Sequence, residues 1–403
     1  MTESATGTAP GRLDVLGGVA DYSGALVLQT PLAAATRVRI TRLAEPIVRV
    51  ASVHGGTVAV AAPAAADGPR SPAAARAWLE DRRVPPWARY PLGCLLLFCD
   101  RFDWWPTGGL EIDITSDVPL SMGVSSSAAL EVATLRALES LAGRPAAGTE
   151  LARLAQRAEN EVVGAACGPM DQLAAAHGVV GSLLPINCRP DLIGTPVPLP
   201  AGVVVAGWPS GVRHAVGGSP YATARAAAFM AKRILEDALG RRLEHLTELP
   251  PSAVAACGDE VLPDALAGAD FLQRFGGVDD PLSSIEADRR YPVRAAAAFA
   301  TGENHRSQLA AGLLGGATPH GVAALLGELL YQSHLGYSSI GLGANETDAM
   351  VAAVRSLGSA QGFHGARISG GGSGGTVVVL LDEAALPALG RLAADMTGTA
   401  VIR

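Results

Sequence analysis

Residues 118–129 read Val-Pro-Leu-Ser-Met-Gly-Val-Ser-Ser-Ser-Ala-Ala, and this stretch says most about the fold. Its glycine and serine turn leads directly into Ala-Ala-Leu-Glu-Val-Ala at 128–133, a segment that favours a helix. Backbone N–H groups at the positive end of a helix attract an anion such as phosphate. Serine hydroxyls there can donate to phosphate or bind a hard cation. The stretch therefore predicts a phosphate site, and a plain helix N-cap is the alternative.

Two further glycine-containing segments flank this stretch. Residues 10–22 read Pro-Gly-Arg-Leu-Asp-Val-Leu-Gly-Gly-Val-Ala-Asp-Tyr, and residues 368–375 read Ile-Ser-Gly-Gly-Gly-Ser-Gly-Gly before a strand-like run. In order and spacing, the three segments resemble the signature motifs of the GHMP kinases, the galactokinase, homoserine, mevalonate and phosphomevalonate kinase superfamily. The resemblance covers the chain from residue 10 to its last residue. It implies a two-domain GHMP kinase fold with the active site in the inter-domain cleft and a ferredoxin-like C-terminal domain.

The length and composition fit two domains. The chain has 403 residues, of which 49% are hydrophobic, enough for two cores. Strand-like and helix-like runs are mixed without a regular βαβα alternation, which favours the α+β class. Prolines at 196, 198 and 200 precede an apolar strand-like run. We therefore predict an N-terminal domain over 1–200, with the substrate site and the ATP phosphate turn, and a C-terminal domain over 201–403.

Charge and hydropathy exclude several classes of protein. The net charge of −7 gives no basic field for nucleic acid, and no apolar run reaches the length that spans a membrane. The first eight residues lack the basic and apolar parts of a secretory signal. Five cysteines without a CxxC pair indicate reduced thiols in a cytoplasmic protein. Neither nucleic acid nor a membrane is therefore an expected partner; the resemblance implies a small sugar and ATP as partners, and we expect a monomer or weak homodimer.

The chain has a single lysine, Lys232, outside any glycine-rich turn. A Walker-type P-loop and a protein-kinase ATP lysine are therefore excluded. Phosphate must be held by backbone N–H groups, hydroxyls and a metal ion, with or without an arginine. The resemblance implies that ATP is bound by the residues of the central motif, namely Pro119, Ser121, Met122, Gly123, Val124, Ser125, Ser126, Ser127 and Ala128.

The segment Cys-Gly-Pro-Met-Asp-Gln at 167–172 resembles the galactokinase sequence that carries the catalytic aspartate. The resemblance implies that Asp171 is catalytic, either as the base that takes the proton of the acceptor hydroxyl or as a group that orients it. Arg12 matches the arginine that partners this aspartate, and the alternative for it is a purely structural ion pair. An adjacent guanidinium keeps the carboxylate ionised, which favours orientation, but the sequence leaves the choice open.

The resemblance also implies a Mg²⁺ site. Glu159 and Ser127 match the acidic residue and the serine that hold the ion in this family. An isolated glutamate on a helix is more often a solvated side chain, and that is the alternative here.

The acceptor is indicated by the first motif and by a tyrosine further on. Galactokinases typically read Gly-Glu-His-Thr-Asp-Tyr where this chain has Gly-Gly-Val-Ala-Asp-Tyr at 17–22. The Glu-His pair, which serves the C6 hydroxymethyl end of galactose, is missing, so the site should prefer a sugar without that hydroxyl. L-Arabinopyranose has the hydroxyl configuration of galactose and no C6. The expected sugar-binding residues are Asp21, Gly18, Val19, Tyr22, Gly168 and Tyr221.

Segments outside the three motifs resemble the kinase domain of plant L-arabinokinases, among them 211–218 with its Val-Arg-His element and 330–334. The predicted activity is ATP-dependent phosphorylation of the anomeric hydroxyl of L-arabinose to L-arabinose 1-phosphate. A galactokinase and a kinase for galacturonate or glucuronate are the alternatives, although no new arginine or lysine at 18 or 19 meets a C6 carboxylate. A catalytically silent sugar sensor is a further alternative, and the presence of Arg12, Asp171 and the serine run argues against it.

Overall fold

A computed structural model describes residues 3–189, 191–212, 219–316 and 321–403. The chain forms two compact units that alternate along the sequence. The first unit comprises Met1–Arg12, Pro31–Leu120 and Ser125–His177, and the second comprises Leu13–Thr30, Ser121–Val124 and Gly178–Arg403. The predicted division at residue 200 separates an N-terminal from a C-terminal domain along the sequence. The two units do not test that division, so it stays a prediction.

Strands and helices are mixed along the chain, which confirms the predicted α+β class. The strands are β1 Ser4–Leu16, β2 Leu26–Leu43, β3 Ile47–Ser52, β4 Gly56–Ala61, β5 Gly109–Ser116, β6 Ser182–Cys188, β7 Asp191–Ile193, β8 Val197–Pro198, β9 Val203–Pro209, β10 Leu266–Ala267, β11 Arg290–Tyr291, β12 Phe363–Ile368 and β13 Thr376–Asp382. The helices are α1 Pro72–Asp81, α2 Pro86–Phe102, α3 Ser126–Ala142, α4 Glu150–Arg157, α5 Met170–His177, α6 Ser219–Leu239, α7 Pro251–Ala255, α8 Gly268–Phe275, α9 Val293–Gly315, α10 Val322–Ser339, α11 Asn345–Leu357 and α12 Leu386–Thr397.

The first unit packs helices on a sheet. β5 pairs antiparallel with β2 and parallel with β3, and β3 pairs antiparallel with β4. The sequence of β5 alternates between apolar and polar residues, which predicts a strand with one buried face; Leu110, Ile112 and Ile114 are indeed buried while Asp113 is exposed. α2 and α3 pack against each other, and their apolar faces join these strands in one core. This packing fixes the start of α3, where the central motif ends.

The second unit contains an antiparallel sheet in the order β12-β13-β9, with β13 in the centre. β13 is buried from Thr376 to Leu381, as its continuous apolar sequence requires. α10 lies so close to β12 that a Cβ at Gly327 would stand 1.9 Å from the His364 carbonyl oxygen. Separately, α6 and α9 form a second core of the unit. In the second unit, too, the first residues of β2 pair with β6.

Two segments have a local geometry that the sequence does not predict. Apolar periodicity predicts one amphipathic helix over residues 151–163, but the regular α-helix ends at Arg157 and is followed by a π-helical turn, Ala158–Val163. The first motif is the end of β1 followed by a 3₁₀ turn, Gly18–Ser23. Within the described residues no helix is both long and apolar enough to cross a bilayer.

Candidate active site

The central motif ends at the N-terminus of α3, a helix of 17 residues that begins at Ser126. The backbone φ of Ser125 is 58° and that of Ser121 is 60°, a left-handed conformation that non-glycine residues adopt rarely. Such backbone persists only where the surrounding structure enforces it, and it is concentrated at functional sites. The predicted glycine and serine turn before a helix is therefore present.

In the first unit the structure brings Arg12, Asp171 and Ser125 together. Asp171 stands in the first turn of α5, and its Oδ1 accepts from Arg12 Nε at 2.8 Å and lies 2.7 Å from Arg12 Nη2. Its other oxygen, Oδ2, accepts from the Ser125 hydroxyl at 2.5 Å. The Arg12 side chain is 3% exposed and that of Asp171 is 20% exposed. The arginine is thus a buried support, whereas the aspartate remains reachable by a ligand.

Two buried carboxyl groups lie near Asp171. They belong to Glu159 on the π-helical turn and to Glu131 on α3. The Gln172 amide donates to both, at 2.6 Å to Glu159 and 3.1 Å to Glu131. Burial raises the pKa of Glu159 to about 7, against the lowering effect of a hydrogen bond from Ser127. Burial, reinforced by the charge of Glu159, raises the pKa of Glu131 well above its ordinary value. Since Glu159 is only 4% exposed, the alternative of a solvated helix-face glutamate is wrong.

In the second unit a buried ion pair joins the first motif to the C-terminal glycine turn. Asp14 Oδ2 accepts from Arg367 Nη2 at 2.8 Å and from the Gly370 amide at 3.2 Å. The Asp14 amide in turn donates to the Ser369 hydroxyl at 3.0 Å. Because Asp14 and Arg367 are completely buried, this pair fixes the two segments to each other rather than meeting a ligand.

The glycine turn also contacts the part of the central motif that belongs to the same unit. The Thr376 hydroxyl donates to the Met122 carbonyl at 2.7 Å. A Cβ at Gly123 would stand 3.7 Å from the Ser369 carbonyl oxygen. Residues of all three motifs therefore lie side by side in the second unit.

Five of the six expected sugar-binding residues lie in the second unit. Gly18 and Val19 are buried, and the Val19 side chain packs in an apolar cluster. Tyr22 and Tyr221 meet edge to face with ring centroids 6.2 Å apart. Asp21 is also buried, and its Oδ1 accepts from the Tyr22 amide at 2.6 Å. Gly168 lies in the first unit, in the loop before α5.

Comparisons with known proteins identify the family of this chain. Residues 89–179 match the model of the GHMP kinases N terminal domain, and residues 316–396 match that of the GHMP kinases C terminal. A galactokinase of Chloroflexus aurantiacus is 33% identical over 93% of this chain and 83% of its own length. The chain belongs to the GHMP kinases.

An L-arabinokinase and a solved galactokinase structure are also similar to this GHMP kinase. The L-arabinokinase of Arabidopsis thaliana is 32% identical over 92% of the chain, which spans only 42% of that protein's length. The crystal structure of Lactococcus lactis galactokinase complexed with galactose shares the fold, with a TM-score of 0.77 and 21% identity over 99% of this chain and 92% of that one. The two-domain GHMP kinase fold expected from the motifs is confirmed.

The buried carboxylates fit the Mg²⁺ ion that the family implies. Glu131 Oε1 and Gln172 Oε1 are buried without a hydrogen-bond partner in the part of the chain that the structure describes, and the Gln172 side chain also contacts the carboxyl group of Glu159. That concentration of oxygen lone pairs suits a hard cation. No cluster of three or more His, Cys, Asp or Glu side chains suited to a metal occurs among the described residues. Mg²⁺ is commonly held by one or two protein ligands together with substrate phosphates, as Ser127 and Glu159 would hold it.

Sequence reasoning missed several residues of this GHMP kinase site. Glu131 could have been found, because it follows Ser127 by four positions on one helix face and is charged within an apolar run. Gln172 directly follows the predicted Asp171 but carried no signal of its own. Arg367 pairs with Asp14 across most of the chain, and no local pattern reveals that. Arg213 and His214 of the Val-Arg-His element lie outside the described residues.

Proposed function

We propose that this GHMP kinase is an ATP-dependent sugar 1-kinase that converts L-arabinose to L-arabinose 1-phosphate. The observation that carries the chemistry is the carboxylate of Asp171, held by Arg12 through one oxygen and by Ser125 through the other. A carboxylate oxygen can accept a second hydrogen bond, so Asp171 Oδ2 has capacity for a sugar hydroxyl beside Ser125. A buried guanidinium on Oδ1 stabilises the negative charge that such a contact needs.

The proposed reaction is one displacement at phosphorus. The anomeric oxygen of the sugar attacks the γ-phosphorus of ATP, the bond from that phosphorus to the β–γ bridging oxygen breaks, and ADP leaves. Asp171 holds the hydroxyl in line and accepts its proton, which then passes to solvent. The N-terminus of α3 and the turn at 119–128 hold the ATP phosphates through backbone N–H groups and hydroxyls. Ser127 and Glu159 would hold Mg²⁺, which would supply positive charge to neutralise the phosphate oxygens.

The acceptor is proposed from the first motif. Gly18 has no side chain, and the Val19 side chain is buried among apolar groups, so neither supplies a polar side-chain partner for a C6 hydroxymethyl group. Asp21, Tyr22 and Tyr221 remain for the ring hydroxyls that L-arabinose shares with galactose. The similarity to an L-arabinokinase supports the same acceptor. Galactose is the second candidate, because galactokinases resemble the chain over more of their own length.

An ATP-consumption assay across L-arabinose, galactose, galacturonate and glucuronate tests the proposal, with ³¹P NMR to identify an anomeric phosphate. We expect the highest activity with L-arabinose and none above background in the Asp171→Asn protein, which controls for contaminating kinases. Turnover of a uronate in preference to both neutral sugars would contradict the proposed acceptor. Absence of turnover with every sugar, while ATP and sugar still bind, would favour a silent sensor.

A further inference from the structure

The position of Gly18 has no room for a side chain. A Cβ built there would stand 2.0 Å from Tyr337 Oη, 2.9 Å from Tyr337 Cζ and 3.0 Å from Arg367 Nη2. The first two distances are below any that Cβ atoms tolerate, and the first neighbour is a hydroxyl on a rigid ring. The φ of Gly18 is +50°, so a side chain would also be placed on left-handed backbone.

Tyr337 is held in place from several sides. It lies on α10 with 0% of its surface exposed, and its hydroxyl donates to the Gly370 carbonyl at 2.7 Å. The same oxygen accepts from the Val19 amide at 3.1 Å. Its ring meets Phe299 edge to face at 5.3 Å, and the Arg367 guanidinium lies 4.9 Å from the ring centroid. Since the hydroxyl and the ring are both fixed, the tyrosine cannot swing away to admit a side chain at position 18.

This hydroxyl joins two of the three motifs. Through the Val19 amide it holds the first motif, and through the Gly370 carbonyl it holds the glycine turn. Position 18 is where galactokinases carry the glutamate that serves the C6 end of the sugar. In this chain the Tyr337 hydroxyl stands where the side chain of residue 18 would begin.

We propose that Tyr337 is the positioning residue that fixes acceptor specificity, by excluding any side chain from position 18 and by holding the Val19 amide. The inference rests on the proposed function, because it explains why a sugar with an exocyclic hydroxymethyl group lacks its partner. The absence of a glutamate at position 18 therefore depends on the residue at position 337 as well as on the residue at position 18. A glutamate at position 18 can serve the acceptor only after Tyr337 is made smaller.

Thermal melting of paired variants tests the steric part and needs no substrate. Gly18→Ala is compared in the wild-type, Tyr337→Phe and Tyr337→Leu backgrounds, because phenylalanine removes the atom at 2.0 Å and leucine also removes the one at 2.9 Å. Gly240→Ala is the matched control, since Gly240 has a φ of +63° and nothing lies within 4 Å of the place that a Cβ would take there. We expect the Tm loss from Gly18→Ala to exceed that of the control in the wild-type background and to fall by at least half in the leucine background. Equal losses in all three backgrounds would overturn the proposal.

Acceptor selectivity tests the functional part. In Gly18→Glu with Tyr337→Leu we expect the ratio of kcat/KM for galactose over that for L-arabinose to rise at least about tenfold, or about 1.4 kcal/mol. Gly18→Glu alone should lose activity with both sugars, and Tyr337→Leu alone should not gain the shift. A purely structural tyrosine would lower both sugars equally, so an unchanged ratio in the folded double variant overturns the proposal. The proposal is also overturned if the double variant fails to fold although Tyr337→Leu alone folds.

Failure of the proposed function and failure of the proposed role of Tyr337 give different results. If the wild-type protein acts on neither sugar, the proposed function fails, and the melting series still decides whether Tyr337 excludes a side chain at position 18. If the wild-type protein prefers L-arabinose but the variants behave additively, the function stands and the role of Tyr337 is wrong.

Discussion

At the residue scale the site depends on how the two oxygens of Asp171 are used. Arg12 donates to Oδ1 and Ser125 donates to Oδ2, so the carboxylate plane is fixed by groups from two other segments of the chain. Arg12 and Asp171 could be predicted from their motifs. The contact to Ser125 could not, because it depends on the left-handed backbone of that serine, which sequence does not reveal.

Asp171→Asn tests the catalytic assignment. We expect kcat to fall by about 10²–10⁴-fold, because an amide can neither accept the proton nor carry the charge paired with Arg12. Binding of ATP and of sugar, measured by calorimetry, should persist, since the amide is isosteric. The assignment of Asp171 is wrong if most of kcat remains.

At the element scale the π-helical turn after α4 places Glu159 in the site. The apolar periodicity of the sequence predicts one continuous helix over 151–163. It does not predict the π-helical turn, because the additional residue in that wider turn is accommodated by tertiary packing. The motif predicts that Glu159 is a Mg²⁺ ligand, and that role stays a prediction. The burial of Glu159 and its link through Gln172 to Glu131 could not be predicted, since both depend on how α3 and α5 pack beside the turn.

Glu159→Ala and Ser127→Ala should each raise the Mg²⁺ concentration needed for half-maximal activity, because each removes an oxygen ligand. Glu161→Ala is the matched control on the same turn, where the glutamate is exposed and pairs with Arg157. A Mg²⁺ titration of kcat checks the prediction. An unchanged Mg²⁺ requirement in both variants would remove the metal assignment.

The raised pKa of Glu159 gives stability a pH dependence with a definite sign. The folded protein retains a proton up to about pH 7, whereas the unfolded chain loses it near the ordinary value of 4.5. The free energy of unfolding should therefore fall as pH rises between these values. Melting curves from pH 5 to pH 8 in EDTA should show this fall, and MgCl₂ should reduce it by stabilising the ionised carboxylate. In Glu159→Gln the fall should be smaller; an identical profile in that variant would contradict the prediction.

At the scale of the whole molecule, the fold class and the family could be predicted from three short segments. Much of the strand pairing and of the long-range ion pairing could not. Only residues 37–40 of β2 look like a strand in sequence, because Pro31 and an alanine run interrupt the pattern. The structure extends β2 from Leu26 to Leu43, with partners that follow far along the chain. The buried pair of Asp14 and Arg367 is equally non-local. Such contacts depend on the packing of the complete chain, so the local propensity for helix or strand does not predict them.

The acceptor is the central claim, and the ratio of kcat/KM for L-arabinose to that for galactose in the wild-type protein tests it most directly. A sugar hydroxyl left without a partner in a closed site costs about 1–3 kcal/mol, so L-arabinose should be favoured by about fivefold to 150-fold. Measurable activity with galactose is compatible with that margin. A preference for galactose or for a uronate over L-arabinose by about tenfold or more, about 1.4 kcal/mol, would contradict the account.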